Sequence, residues 1–144
     1  MRVLLDTSVL VAGMVESHPA HERSLPRLQR IKAGTDSGVV AAHSVAELYA
    51  ILTTLPIRPR VSPTEARRLI ERNVLDTCEI ISLSDSDYAD VISHLASTGI
   101  AGGATYDALI LHIATKIEIE RIVTLNERDF RRIYPALSDK IVAP

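Results

Sequence analysis

The sequence predicts an α/β domain: a largely parallel sheet covered by helices on both faces. Short apolar runs of strand character, "RVLL", "GVVAA", "CEIISL" and "RIVTL", recur along the chain. Between them lie segments whose apolar side chains return at three- and four-residue spacing, the mark of helices with one buried face. Strands this short and apolar, alternating with helices, belong to a sheet buried on both sides. Size agrees, since 144 residues, 47% hydrophobic and 24% charged, have the make-up of one ordinary globular domain with a substantial core. We therefore expect one domain over residues 1–144, with no repeat, linker or low-complexity tract dividing it.

The elements follow in order. "RVLL" is a strand that ends at Asp6 and leads into a helical turn, "SVLVAGM". Residues from about His18 to Lys32 form an arginine-rich amphipathic helix that Pro26 is expected to kink or break. "GVVAA" is the second strand, and "SVAELYAILTTL" a helix with Val45, Leu48, Leu52 and Leu55 on one side. "SPTEARRLIERNV" carries a helix-start signature: Ser62 as cap, Pro63 at the first position and Glu65 closing a capping box. "CEIISL" is the third strand, and "DSDYADVISHLAST" a helix that Gly99 ends. After Gly102 and Gly103 a further helix places Tyr106, Ile110, Ile113 and Ile117 on one buried stripe. "RIVTL" is the fourth strand and "KIVA" an edge strand if it pairs, giving four or five strands in all.

Composition excludes some classes. No run approaches the roughly 18 apolar residues a membrane span needs. The opening "MRVLLDTSVLVAG" is interrupted by Asp6 and is short for a signal peptide, so a cytoplasmic location is expected. The lone Cys78 forms no internal disulfide and reads as a small buried hydrophobe. The net charge of −2 does not announce a nucleic-acid binder, but 13 of the 16 basic residues are arginine, whose planar fork suits phosphate. They fall in clusters (Arg23, Arg27 and Arg30; Arg58 and Arg60; Arg67, Arg68 and Arg72; Arg128, Arg131 and Arg132) that also suit solvated helix faces.

The chemistry lies in the acids. At 100° per residue Asp107 falls inside the apolar arc of its helix, flanked by Ile110, Leu111 and Ala114. A carboxylate there is costly unless it finds a partner. Ligands of open α/β sheets bind beyond the carboxyl ends of the strands. Asp6 follows the first strand; Thr124, Asn126 and Asp129 follow the fourth; Glu47 lies one turn into the helix after the second; Asp107 is in the first turn of the helix before the fourth. Each acid also has a purely structural reading: Asp6 as a helix N-cap, Glu47 boxed with Ser44, Asp129 capping a short turn, Asp107 favouring the positive helix end. Those readings treat the acids separately and do not explain why all four map to one edge of the sheet. Carboxylates gathered there repel one another unless a cation joins them. Oxygen-only ligands completed by water suit Mg²⁺ or Mn²⁺. No Cys/His set has zinc spacing, and His18 and His21 read as surface residues. A cation so held activates water and stabilises charge on a phosphate oxygen, so phosphodiester hydrolysis is the natural chemistry.

Four blocks in order, "LLDTSVLVA", "SVAELYAIL", "GIAGGATYDALILHIA" and "VTLNERDF", carry a resemblance that runs end to end. The chain resembles PIN-domain ribonucleases of the VapC type, the toxins of toxin–antitoxin modules. The resemblance implies a three-layer α/β/α fold around a central, mostly parallel sheet, with metal-binding and catalytic roles for Asp6, Glu47, Asp107 and Asp129. It gives Ser8 and Thr124 supporting hydroxyl contacts. Asn126 stands where the family has Asp or Asn and offers only a neutral oxygen, so a second metal would be held loosely, and one metal or two is left open. It further implies an RNA substrate, a homodimer and a cognate antitoxin inserted in the active-site groove. The alternatives are a PIN-fold RNA- or partner-binding module with little nuclease activity, and a housekeeping RNA-processing nuclease without an antitoxin. Other folds with an acid after the first strand fit less well. A receiver domain needs an Asp after the third strand and a Lys after the fifth. A haloacid-dehalogenase-type phosphatase needs Asp where Ser8 stands, and "DTSVLVAG" is no Gly-rich phosphate loop.

Overall fold

Val3, Leu4 and Leu5 are almost wholly shielded from water, because the strand that carries them lies in the middle of the sheet. The computed structural model describes residues Met1–Pro144. Strand β1 (Arg2–Leu5) is followed by α1 (Thr7–Met14), α2 (His21–Lys32), β2 (Ser37–Ala41) and α3 (Ala42–Thr54). Next come α4 (Pro63–Ile70), β3 (Cys78–Ile81), α5 (Asp85–Thr98), α6 (Ala104–Lys116), β4 (Arg121–Val123), α7 (Glu127–Ile133) and β5 (Ile141–Val142). The order across the sheet is β3-β2-β1-β4-β5 and every pairing is parallel. The expected α/β/α class is thus borne out, with "KIVA" supplying the edge strand through Ile122↔Ile141.

Alternate side chains of each strand feed opposite faces. Leu4, Val39 and Ile122 pack with Val91, Leu95, Ile110, Ile113, Phe130 and Ile133 from α5, α6 and α7. Val3, Leu5, Val40 and Val123 pack with Val9, Leu10, Leu28, Ile31, Leu48, Leu52 and Ile70 from α1 to α4. Both faces are therefore apolar, which explains strands that are apolar throughout. A Cβ on Gly13 would lie 2.5 Å from Leu28 Cδ1, so the glycine lets α1 and α2 approach closely.

Several local expectations needed correction. Helix α2 begins at His21 and runs through Pro26 without breaking, because Leu28 and Ile31 beyond it are buried and hold the segment against the sheet. His18 and His21 are half-buried and bonded, not surface residues: His18 Nδ1 accepts from the Ala20 N–H at 3.0 Å, and His21 Nδ1 lies 2.9 Å from the Ala12 carbonyl. Ser62 caps α4 by accepting from the Glu65 N–H at 3.1 Å, but no bond returns from the Glu65 side chain. The last turn of that segment, Glu71–Leu75, widens into a π turn. Gly99 ends α5 in the left-handed region at φ 70°, as expected. Tyr106, expected in a buried stripe, is 59% exposed; the buried face of α6 starts at Ala108.

Candidate active site

The sheet order reverses direction between β1 and β4, so the chain leaves a crevice beyond the carboxyl ends of these two strands. Asp6 stands at the end of β1 and Thr124 at the end of β4, with the Asp6 N–H bonded to the Val123 carbonyl at 3.0 Å. Glu47 reaches this edge from α3 in one helical layer, and Asp107 and Asp129 from α6 and α7 in the other. The residues are thus drawn to one edge by topology, each from the first two turns of its helix or the end of its strand.

None of the four acids serves as a cap. Asp6 occupies the N-cap position of α1, yet its side chain makes no capping bond. Its Oδ2 accepts instead from the hydroxyls of Ser8 and Thr124, the latter at 2.7 Å. Ser8 Oγ in turn accepts from the Leu125 N–H at 3.2 Å, and Thr124 Oγ1 from the Asn126 N–H at 2.9 Å. Two hydroxyls tied to the loop after β4 therefore fix the Asp6 carboxylate. Helix α3 starts directly off β2 at Ala42, so Ser44 lies inside its first turn and forms no box with Glu47. Asp129 sits in the first turn of α7 and Asp107 in that of α6, and neither helix has a side-chain cap.

The electrostatics follow from that crowding. No lysine or arginine pairs with any of the four. Burial, then the charges of Asp6, Glu47 and Asp129, push the Asp107 carboxyl up to about 7, with the Asn126 side chain pulling the other way. Burial and the Asp6 charge also raise Glu47. Three buried polar atoms without hydrogen-bond partners, Thr7 Oγ1, His43 Nε2 and Ser44 Oγ, belong to the first turns of the helices that follow Asp6 and carry Glu47. Oxygen donors in excess, no counter-charge and unsatisfied polar atoms alongside fit a hydrated divalent cation.

Spacing qualifies that fit. The His, Cys, Asp and Glu trio whose ligand atoms all lie within 4.8 Å of one another is Asp87, Asp90 and His112, not a trio from these four acids. The Asp87 carboxylate is already engaged: Lys116 Nζ lies at 2.6 Å, His112 Nε2 at 3.1 Å and the Ser84 N–H at 2.9 Å. A cation there would have to displace the Lys116 ammonium, so we read that trio as a tie between α5 and α6. No three of the four acids bring ligand atoms that close, so a ring of these acids suits an ion that keeps several waters.

Sequence reasoning missed the neighbouring cavity. It measures about 450 Å³, runs between α3, α5 and α6, and is lined by His43, Glu47, Tyr88, Tyr106, Asp107 and Leu109. Another cavity of about 340 Å³, bounded by Met14, Ile57 and Leu69, contains none of the acids.

Comparisons with known proteins agree with this fold. Residues 3–135 match the family model described as PIN domain. Ribonuclease VapC40 of Mycobacterium tuberculosis is 36% identical over 106 residues, which cover 73% of this chain and 72% of that protein. Ribonuclease VapC27 of the same species is 31% identical over 116 residues, covering 81% of this chain and 79% of that one. The crystal structure of VapBC2 from Rickettsia felis, bound to a DNA fragment from its promoter, has the same fold. It aligns with a TM-score of 0.66 at 20% identity over 100% of this chain and 98% of that one.

Proposed function

The chain belongs to the PIN-domain family, and from that premise we propose that it is an endoribonuclease of the VapC toxin type, hydrolysing RNA phosphodiester bonds with Mg²⁺ or Mn²⁺. The observation that carries the reading is the unpaired ring of Asp6, Glu47, Asp107 and Asp129 at the switch point of the sheet, formed from both helical layers. The similar VapC40 and VapC27 are ribonucleases by name, and support the substrate class.

When bound, a divalent cation supplies an activated water and charge stabilisation at a phosphate oxygen. Asp6, Glu47, Asp107 and Asp129 would hold it. The residues themselves provide positioning and proton control. Ser8 and Thr124 hold the Asp6 carboxylate in one orientation, so that one of its oxygens remains free to face the crevice. Asp107, raised to about 7, is the carboxyl that changes protonation near neutrality, giving up its proton as positive charge enters the ring. Asn126 contributes a neutral amide oxygen or N–H at the rim and adds no further repulsion to RNA phosphate.

The same reading includes a homodimer, a cognate antitoxin of the VapBC type and a cytoplasmic site of action. No helix is long and apolar enough to cross a membrane. The test is cleavage of RNA by the purified protein with Mg²⁺ or Mn²⁺. EDTA should abolish it, and Asp6→Asn or Asp107→Asn should lower it by at least about 100-fold, on the several kcal/mol that metal-assisted charge stabilisation supplies. Cleavage that survives chelation and both substitutions would overturn the mechanism. Toxicity on expression, relieved by the product of a neighbouring gene, separates a toxin from a housekeeping nuclease.

A further inference from the structure

The chain is poor in aromatic residues, with four tyrosines, one phenylalanine and no tryptophan. Phe130 is fully buried and Tyr134 stacks on His94 with ring centroids 4.2 Å apart, so both have structural employment. Tyr106 and Tyr88 do not: they are 59% and 42% exposed, and both line the cavity of about 450 Å³ between α3, α5 and α6. That cavity shares Glu47 and Asp107 with the acid ring, so it begins where the ring ends. Its volume is that of a small-molecule site.

We propose that this cavity is a nucleobase subsite, in which Tyr106 and Tyr88 stack against one unpaired base flanking the phosphate held at the acid ring. The inference rests on the nuclease reading and adds to it the recognition of the substrate. A group that occupies a cavity bounded by two of the proposed catalytic carboxylates lies beside the reacting phosphate, and in RNA the groups beside a phosphate are a ribose and its base. Proteins read RNA at unpaired positions by splaying bases onto aromatic faces. A tyrosine exposed beside carboxylates offers such a face. The subsite therefore admits a base only when it is unstacked, which would direct cleavage to loops and single strands and away from duplex.

The backbone just before Tyr106, whose N–H bonds to the Gly103 carbonyl at 3.2 Å, supplies an independent handle. Gly103 lines the cavity with φ −62° and ψ −19°, a conformation open to any residue. A Cβ there would meet no atom within 4 Å. The space beside Gly103 is open at the Cβ, so Gly103→Leu adds bulk to the cavity lining with no clash at that atom.

The test uses the full chain and a set of unpaired oligoribonucleotides in which a single abasic ribose is stepped across the sequence. Cleavage efficiency is measured in Mg²⁺, and binding by fluorescence anisotropy in Ca²⁺. On intact RNA, Tyr106→Ala and Gly103→Leu should each weaken binding and kcat/KM by about 5- to 150-fold, the range of base–aromatic stacking. Tyr106→Phe should retain wild-type values, which a role for the hydroxyl would not allow. One abasic position should cost the wild type the same factor, and Tyr106→Ala should cost nothing further on that oligonucleotide. If the wild type cleaves and both variants match it on every substrate, the subsite is wrong while the nuclease stands. If the wild type binds with the Tyr106–abasic coupling but does not cleave, the nuclease reading falls and the subsite stands. An RNA that is neither bound nor cleaved in any form overturns both.

Discussion

Thr124 uses one hydroxyl for two tasks: it donates to Asp6 Oδ2 and accepts the Asn126 N–H, and the residue is 0% exposed. Thr124→Val keeps the shape and removes both bonds. It should cost about 1–3 kcal/mol of stability, because a buried N–H and a carboxylate oxygen lose a partner. It should also lower kcat roughly tenfold, since a misplaced reacting group is costly even when the chemistry is intact. Thr124→Ser should restore most of both. Urea unfolding and steady-state cleavage of the three proteins check this, and a Thr124→Val enzyme as active as Thr124→Ser would remove the positioning role. The same scale shows what periodicity can and cannot reveal. Asp107 was legible because a carboxylate within an apolar arc demands a reason. Tyr106 shares that apolar arc yet is exposed, since spacing defines a face of a helix but not where that face overhangs a cavity. It sits in the first turn, above the point where the packed surface of α6 begins.

Among the elements, α5 shows how local and tertiary bonds combine. Ser84 and Asp87 form a reciprocal capping box, and the same Asp87 carboxylate receives Lys116 and His112 from α6. Lys116 first, with the Ser84 N–H, holds the Asp87 carboxyl well below the usual carboxylate range. Ser84→Ala removes the cap and should cost about 1 kcal/mol, read as a lower urea midpoint at unchanged slope. Lys116→Met should lower the midpoint at neutral pH but not in strong acid, where Asp87 is protonated in either protein. A midpoint difference that persists in acid would mean that Lys116 acts through packing alone. Other elements were hidden from the sequence for related reasons. Helix α7 is mostly polar, "ERDFRRI", and buries only Phe130 and Ile133, two apolar anchors too few to form a pattern before the partner surface is known. The S-x-x-E string at Ser44 mimics a capping box, but α3 leaves β2 without an intervening loop, so the helix has begun before Ser44 is reached. The parallel sheet was legible because burial on both faces leaves apolar strands whatever the tertiary detail.

For the molecule as a whole, the proposed role of the four acids sets function against stability. Asp107 rises from its ordinary 3.8 to about 7 through burial and the charges of Asp6, Glu47 and Asp129. Between those values the folded chain holds a proton that the unfolded chain has released, so the stability this group contributes is present in acid and is lost as pH rises through about 7. Glu47, also raised, has the same sign. The N-terminal amine and Arg30 lower Asp36 to about 2, chiefly through the Arg30 hydrogen bond, so that its contribution changes only in acid, outside this window. His43 is pushed down by burial and works in the opposite sense below its ordinary 6.5, so wild type must be compared with Asp107→Asn, which shares His43. Without metal, the melting temperature of the wild type should fall between pH 5 and pH 8 relative to that of Asp107→Asn. Divalent cation should reverse the trend, because its ligands must be deprotonated to bind. Mg²⁺ at about a hundred times its dissociation constant adds roughly 2.7 kcal/mol, which is several degrees in a chain of this size. That increment should be large at pH 8, small at pH 5 and much reduced in Asp107→Asn. Thermal melts on a grid of pH and Mg²⁺ concentration decide the matter without reference to any RNA. An Mg²⁺ increment that is the same at both pH values, or unchanged in Asp107→Asn, would place the cation somewhere other than the switch point of the sheet.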